Sequence, residues 1–163
     1  MTDFIEQQGQ AFLAHVLRRL ADELIQGAKE WYPSVGVTAP PRTISTLLAL
    51  EEQGPLGVTE LAGVLRQSHT LVIVWIRELA RLSLVRSKSD PADARRTIVV
   101  LTPKGRRELA NVRKALITMA DASSELLGPD NEAVWRALWR MERALKEKSF
   151  PQRLRQHGLE RDA

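Results

Sequence analysis

Cysteine is absent from this chain of 163 residues, which excludes disulfides, thiolate metal sites and cysteine-based redox sensing. Long apolar runs are absent too, so the sequence contains no segment that could span a bilayer. The first ten residues carry Asp3 and Glu6 but no basic residue, a pattern that does not form a secretory signal. We therefore expect a cytoplasmic protein with no membrane partner.

Catalytic and metal-binding motifs are equally scarce. The three histidines, His15, His69 and His157, are widely separated, and their spacing predicts no metal site. The sequence has no nucleophile elbow, no glycine-rich phosphate loop and no lysine motif of an enzyme family. We predict neither a cofactor nor a catalytic residue, and an enzyme is the function class that the sequence favours least.

The charge of the chain is unevenly distributed. The composition, with 44% hydrophobic and 27% charged residues, is typical of a globular protein, and the length fits a single domain over residues 1–163. Residues 1–60 contain four basic and eight acidic residues, whereas residues 81–107 contain eight basic and two acidic ones. Such a basic segment attracts phosphate backbones. A solvated basic face is the alternative interpretation.

Two helices are predicted before the basic segment. Residues 4–31 have one apolar face at helical spacing, formed by Leu13, Val16, Leu17, Leu20 and Leu24. Proline and glycine within residues 32–36 end this helix. We predict that Thr38 is the N-cap of the second helix, which tolerates Pro40 and Pro41 in its first turn. The Gly54-Pro55 pair ends that helix.

Two short helices and a hairpin follow. Residues 58–65 form the first helix, residues 66–67 form a tight turn, and Ser68 caps a helix that runs from His69 to about Leu82. Residues 84–88 and 97–101 are predicted strands, and the proline and aspartates between them favour a turn with a basic tip. The pattern predicts a helix-turn-helix followed by a β wing.

The remainder of the chain is helical. Thr102-Pro103 is a strong helix start, and the apolar residues from Leu109 to Leu126 have heptad spacing. Gly128-Pro129-Asp130 ends this helix, a last helix contains Val134, Leu138, Met141 and Leu145, and the tail from Phe150 is basic. The predicted fold class is therefore mainly α with a small β wing.

The wing and its exit resemble one known family. Asp-Pro-Ala-Asp-Ala-Arg-Arg at residues 90–96 and Thr-Ile-Val-Val-Leu-Thr-Pro-Lys-Gly at residues 97–105 resemble the wing motif of MarR-type transcriptional regulators. Gly-Pro-Leu-Gly-Val-Thr-Glu-Leu-Ala at residues 54–62 is similar to that family's entry to the helix-turn-helix. The resemblance covers residues 10–148 and implies a winged helix-turn-helix flanked by N- and C-terminal dimerisation helices.

The resemblance assigns a role to each region. Residues 38–102 would bind double-stranded DNA, and residues 1–36 and 103–148 would interlock with a second copy to form a homodimer. Periodicity alone also allows these apolar faces to pack inside one chain. Trp135 and Trp139 share one face of the last helix, which suits either a core or an interface.

The DNA-binding residues can be predicted individually. Ser68, His69 and Thr70 begin the recognition helix, where side chains meet base edges, and Arg77 can reach phosphate or guanine. Ser68 is alternatively only a helix cap. The resemblance implies that Arg95 enters the minor groove of DNA and that Asp93 orients it. A narrow minor groove favours such an arginine contact. Arg96, Arg86 and Lys88 would contact phosphates. An ordinary solvated hairpin is the alternative for the wing.

The recognition helix departs from the family in being apolar. Val72, Ile76 and Leu79 share a face that belongs to the core, whereas Ile73 and Val74 would face DNA or solvent. Apolar side chains contact thymine methyl groups but bind no phosphate. This feature favours a second hypothesis, a winged-helix protein-interaction module with weak or lost DNA reading.

The leading hypothesis is a sequence-specific regulator, a ligand-responsive repressor that binds a palindromic operator as a homodimer. The resemblance implies a cleft for a small aromatic or phenolic effector, for which the candidate residues are His15, Arg18, Trp31, Tyr32 and Arg42. Structural packing and surface charge are the alternative roles of these five residues. A small-molecule carrier or an enzyme that uses an interior cleft is a third and weaker hypothesis.

Overall fold

The computed structural model describes residues 2–93 and 95–161, with side chains as far as residue 158. Contacts divide the chain into two compact units, Met1–Leu116 and Ile117–Ala163, whose boundary falls within a long helix. No helix among the described residues is long and apolar enough to cross a membrane. The prediction of a single domain over the whole chain stays a prediction.

The first predicted helix is interrupted near its start. Helix α1 (Phe4–Gln7) is followed by a 3-10 turn over Gly9–Phe12 and then by helix α2 (Leu13–Trp31). The break occurs because Gly9 has a φ of +67°, a left-handed conformation that a helix cannot contain. At the other end, a 3-10 turn over Tyr32–Val35 and the left-handed Gly36 terminate α2, as the proline and glycine predicted.

The predicted N-cap of the second helix is wrong. Helix α3 spans Ile44–Gln53 and is preceded by a 3-10 turn over Pro41–Thr43, so Thr38 lies outside it. The N–H and hydroxyl of Thr38 instead donate to the carboxylate of Glu108, which also accepts from the N–H of Ala39 at 2.8 Å. Glu108 is buried, and these hydrogen bonds satisfy its charge there.

The helix-turn-helix forms as predicted. Helix α4 spans Val58–Leu65, and helix α5 spans His69–Arg81. Arg66 closes the turn with a φ of +52°. Helix α4 has Gly57 as its N-cap, and the N–H of Gly57 donates to the carboxylate of Glu60 at 2.8 Å.

The wing belongs to a three-stranded antiparallel sheet of order β1-β3-β2. Strand β1 (Leu56–Gly57), which the sequence did not predict, pairs with Ile98 and Val99 of β3. Strand β2 spans Val85–Ser89 and β3 spans Thr97–Leu101, within one residue of their predicted bounds. Residues 98–101 of β3 are buried, as the unbroken apolar run predicted. The predicted fold class, mainly α with a small β wing, is confirmed.

The first unit has a well-buried core. Helices α3 to α5, the sheet, the start of helix α6 (Pro103–Leu127) and two connecting segments contribute its most buried apolar side chains. These are Leu47, Leu61, Val72, Leu79, Val99, Leu109 and Val112 in the helices and the sheet, and Val37 and Leu84 in the connecting segments. The hydroxyl of Thr102 caps α6 by accepting from the N–H of Gly105 at 2.9 Å. Gly105 allows a close approach, because a Cβ there would lie 2.1 Å from the carbonyl oxygen of Leu84.

The second unit contains the end of α6, a 3-10 turn over Gly128–Asp130, helix α7 (Asn131–Glu147) and helix α8 (Phe150–Arg161). The sequence predicted a basic tail in place of α8. Arg153 joins the two helices by donating to the carbonyls of Ala144 at 2.6 Å and Lys148 at 3.1 Å. No described side chain of residues 117–158 is buried.

Candidate nucleic-acid interface

The recognition helix, α5, begins with three polar residues. Its N-cap, Ser68, is extended, and its hydroxyl accepts from the N–H of Leu71 at 3.2 Å, so the capping role is confirmed. Ser68, His69 and Thr70 are all exposed at the start of the helix. Their side chains are therefore accessible to base edges, and the hydroxyl of Ser68 is partly engaged by the cap.

The phase of this helix agrees with the sequence prediction. Val72, Ile76 and Leu79 are buried together with Trp75, whereas Val74 is 43% exposed and Ile73, which was predicted to face the same side, is half-buried. Thr70, Val74, Arg77 and Arg81 follow one another at helical spacing along the exposed face. Arg81 was not among the predicted contacts, although its position one turn beyond Arg77 could have indicated it.

The strands of the wing carry two cations on one face. Arg86 and Lys88 are two residues apart in β2, so their side chains point to the same side, and both are exposed. Their partners in the register are Val100 and Ile98 of β3, which are buried. The apolar strand holds the basic strand in place while the cations remain in solvent.

The tip of the wing is closed by hydrogen bonds of two aspartates. The carboxylate of Asp90 accepts from the N–H of Ala92 at 2.9 Å, and that of Asp93 accepts from the N–H of Arg95 at 3.0 Å. Asp93 thus fixes the backbone of Arg95, and the exposed side chain of Arg95 has no hydrogen bond or ion pair within residues 2–93 and 95–158. Ala94, the middle residue of the predicted Asp-Ala-Arg motif, lies outside the described residues.

Arg96 is placed differently from the other cations of the wing. Its guanidinium forms ion pairs with the carboxylates of Glu60 in α4 and of Asp90, the latter at 3.5 Å. The hydrogen bond from the N–H of Gly57, and then that from Arg96, lower the pKa of Glu60 from its usual range. Sequence reasoning missed Glu60 as a partner of the wing, because the two residues are 36 positions apart.

Three sets of interactions involve the five predicted effector residues. Arg18 and Arg42 converge on the carboxylate of Asp22, each at 3.5 Å. The rings of Trp31 and Tyr32 are 6.2 Å apart, and the burial of Tyr32 raises its pKa. His15, half-buried, has its ring 6.4 Å from that of Phe12.

A groove lies along α1 and α2, with a volume of about 690 Å³. None of the predicted effector residues lines it. Four carboxylates and one arginine, with three apolar side chains, form its walls: Asp3, Glu6, Asp22, Glu23, Arg19, Ile5, Val16 and Leu20. An anionic ligand would be repelled there. The described residues contain no group of three or more histidines, aspartates or glutamates that could hold a metal ion.

Comparison with known proteins agrees with this geometry. Residues 46–105 match the family of the winged helix DNA-binding domain. No curated protein sequence matches the chain.

Solved structures similar to the chain are transcriptional regulators. The repressor CouR, bound to a 23-mer DNA duplex, is 27% identical over 79% of this chain and 90% of its own, with a TM-score of 0.65. BpsR of Bordetella bronchiseptica, regulated by 6-hydroxynicotinic acid, is 24% identical over 87% and 96%, with a TM-score of 0.67. A MarR variant of E. coli bound to operator DNA is 16% identical over 86% and 98%, with a TM-score of 0.67.

The chain thus has the winged-helix fold of MarR-type transcriptional regulators, and the resemblance seen in the sequence is confirmed. Residues 46–105 contain the helix-turn-helix and the wing, which carry the exposed Arg77, Arg81, Arg86, Lys88 and Arg95.

Proposed function

We propose that this chain is a transcriptional regulator that binds a near-palindromic DNA operator as a homodimer, and that it acts as a ligand-responsive repressor. One observation carries this proposal. Arg77 and Arg81 of α5 and Arg86, Lys88 and Arg95 of the wing are exposed, and none has a carboxylate partner within the described residues. Cations without partners are available to phosphates and to the minor groove.

The apolar faces support the homodimer. Leu13, Leu20 and Leu24 of α2 are exposed, and so are Trp135 and Trp139 of α7. Exposed apolar stripes of this extent are typical of interaction surfaces. A second copy would bring two winged helices to half-sites about one helical turn apart, which is why we propose a palindromic operator.

Variants of the wing test DNA binding. Arg95→Ala should weaken binding to the DNA upstream of the protein's own gene by roughly 1–3 kcal/mol, because it removes a groove contact. Arg86→Ala should weaken binding to all sequences and reduce the salt slope by about one phosphate contact. The measurement is fluorescence anisotropy at several salt concentrations, on the upstream DNA and on a shuffled duplex.

Arg155→Ala is the matched control, because this arginine is exposed in α8 and lies outside the winged helix. An Arg95→Ala variant that binds like the parent would refute the groove contact. A parent that does not prefer upstream DNA over the shuffled duplex would favour the alternative, a protein-interaction module. The exposed Leu71 and Val74 of α5 are the observation behind that alternative.

We further propose that the effector is a small anionic aromatic compound that binds beside Arg18 and Arg42. These two guanidiniums share one carboxylate, so the group formed by Arg18, Arg42 and Asp22 carries a net positive charge. Calorimetric titration with 4-hydroxybenzoate should give binding that Arg42→Ala weakens at least about tenfold, the loss of one charged hydrogen bond. Lys29→Ala in α2 is the control, and equal binding by both variants would exclude the site.

A further inference from the structure

The guanidinium of Arg96 lies between carboxylates from two separate segments. Glu60 belongs to the first turn of α4, and Asp90 follows the last residue of β2. The Asp90 carboxylate is 15% exposed and the Arg96 side chain is 42% exposed, so the pair that they form is partly shielded from water. Arg96 itself directly precedes β3, and one side chain therefore connects the helix-turn-helix with both strands of the wing.

The backbone around this bridge is tied into the same network. The Glu60 oxygen that pairs with Arg96 also accepts from the N–H of Gly57, and Gly57 in turn pairs with Ile98 in the sheet. A Cβ on Gly57 would lie 3.5 Å from two nitrogens of Arg96, so the guanidinium rests against this glycine. The N–H of Asp90 donates to the carbonyl of Arg96 at 2.8 Å, which closes the base of the wing tip.

The net charge of the group formed by Arg96, Glu60 and Asp90 is negative, whereas the neighbouring cations of the wing are positive. Two carboxylates surround one guanidinium, and the group therefore carries a net negative charge. A phosphate approaching Arg96 would also approach Glu60 and Asp90, and like charges repel. Arg95, one residue earlier, has no such partners among the described residues.

We propose that Arg96 is a positioning residue that fixes the wing to α4 and that it does not bind phosphate. This assignment replaces the phosphate contact that the sequence predicted for Arg96, and it rests on the proposed DNA-binding function. Arginine suits the role because its planar fork reaches two carboxylates at once, which a lysine ammonium cannot do in the same geometry. The wing must be held in a defined orientation for Arg95 to enter a groove.

Hydrogen exchange of the free protein tests the bridge without DNA. Arg96→Ala should speed the exchange of backbone amides in residues 85–101 by about twofold to fivefold, the range expected for a partly exposed ion pair. Glu60→Gln should have a similar effect, because it removes the negative charge that pairs with Arg96. The amide keeps an oxygen that can accept from the N–H of Gly57, so the cap of α4 is retained. The double variant should exchange no faster than the faster single one, because both substitutions break the same interaction. Arg96→Lys should restore part of the protection.

Arg95→Ala is the control in this experiment, since its exposed side chain has no hydrogen bond or ion pair among the described residues and its removal should leave the exchange of the wing unchanged. Additive effects of Arg96→Ala and Glu60→Gln would overturn the bridge, and so would exchange that neither variant alters.

DNA binding then separates positioning from phosphate contact. Arg96→Ala should lower the affinity for upstream DNA while the slope of log K against log salt stays that of the parent, whereas Arg86→Ala should flatten the slope. A slope that falls by about one phosphate contact in Arg96→Ala would overturn the proposal. If the parent binds no DNA, the proposed function fails, and the exchange experiment still decides whether the bridge exists.

Discussion

The two units of the chain differ in how far their apolar side chains are buried. The first unit buries leucines and valines from four helices, α3 to α6, and from a sheet, and several of them are completely inaccessible. The second unit buries none of its described side chains, although Trp135 and Trp139 stack edge to face at 5.9 Å and are 57% and 44% exposed. An apolar surface stabilises a fold only when it is removed from water.

The difference indicates that the winged helix is held by its own core, whereas the C-terminal helices depend on a covering surface. The first unit shares this need in one place, because α2 leaves Leu13, Val16, Leu20 and Leu24 in solvent. The proposed homodimer would supply the covering surface from a second copy. Stability of the winged helix and stability of the assembly should therefore respond to different substitutions.

The largest effect is expected in the core of the first unit. Leu47 is fully buried in α3, and Leu47→Ala should lower the free energy of unfolding by about 2–5 kcal/mol, because a cavity remains where the side chain packed. Urea denaturation followed by circular dichroism measures this loss. The control is Val64→Ala on the exposed face of α4, which should change stability by less than about 0.5 kcal/mol. Equal effects of the two variants would contradict the described core.

A smaller and different effect is expected in the second unit. Trp139→Glu should weaken self-association by about 2 kcal/mol or more, because a charge would replace an apolar anchor in both copies. Sedimentation equilibrium at micromolar concentration should then show monomer, with the helical circular dichroism of the winged helix retained. Arg140→Glu is the control, since it places the same side chain on an exposed position next along α7. A parent that is already monomeric would contradict the proposed homodimer, and a Trp139→Glu variant that is still dimeric would contradict the role of Trp139 as its anchor.

Local signals in the sequence predicted most elements of the fold. The bounds of α4 and α5 follow from Gly57, Ser68 and the apolar period, all of which act within a few residues. The apolar run of β3 and the Thr102-Pro103 pair fixed the exit of the wing in the same way. The exposure of Val74 and the burial of Val72 show that helical periodicity alone can orient the recognition helix.

The errors concern contacts between distant residues. Thr38 has the side chain of a cap, but Glu108, 70 positions later, engages it. Strand β1 contains only two residues and exists because it pairs with β3. The ion pairs of Arg96 were missed because composition records its charge and not the carboxylates beside it. The roles assigned to the predicted DNA and effector residues, Arg96 included, stay predictions.

The reach of Glu108 has a consequence for the order of folding. This residue is the acceptor for the loop at Thr38 and Ala39, and it is synthesised about 70 positions later. At roughly 5–20 residues per second, the loop waits several seconds on the ribosome before its acceptor exists. The entry to α3 therefore reaches its final hydrogen bonding only after the first turns of α6 have formed. A fragment cut after residue 102 would contain every segment of the winged helix that we propose to contact DNA, and yet it would lack Glu108, whose side chain completes the hydrogen bonding of the loop at Thr38 and Ala39.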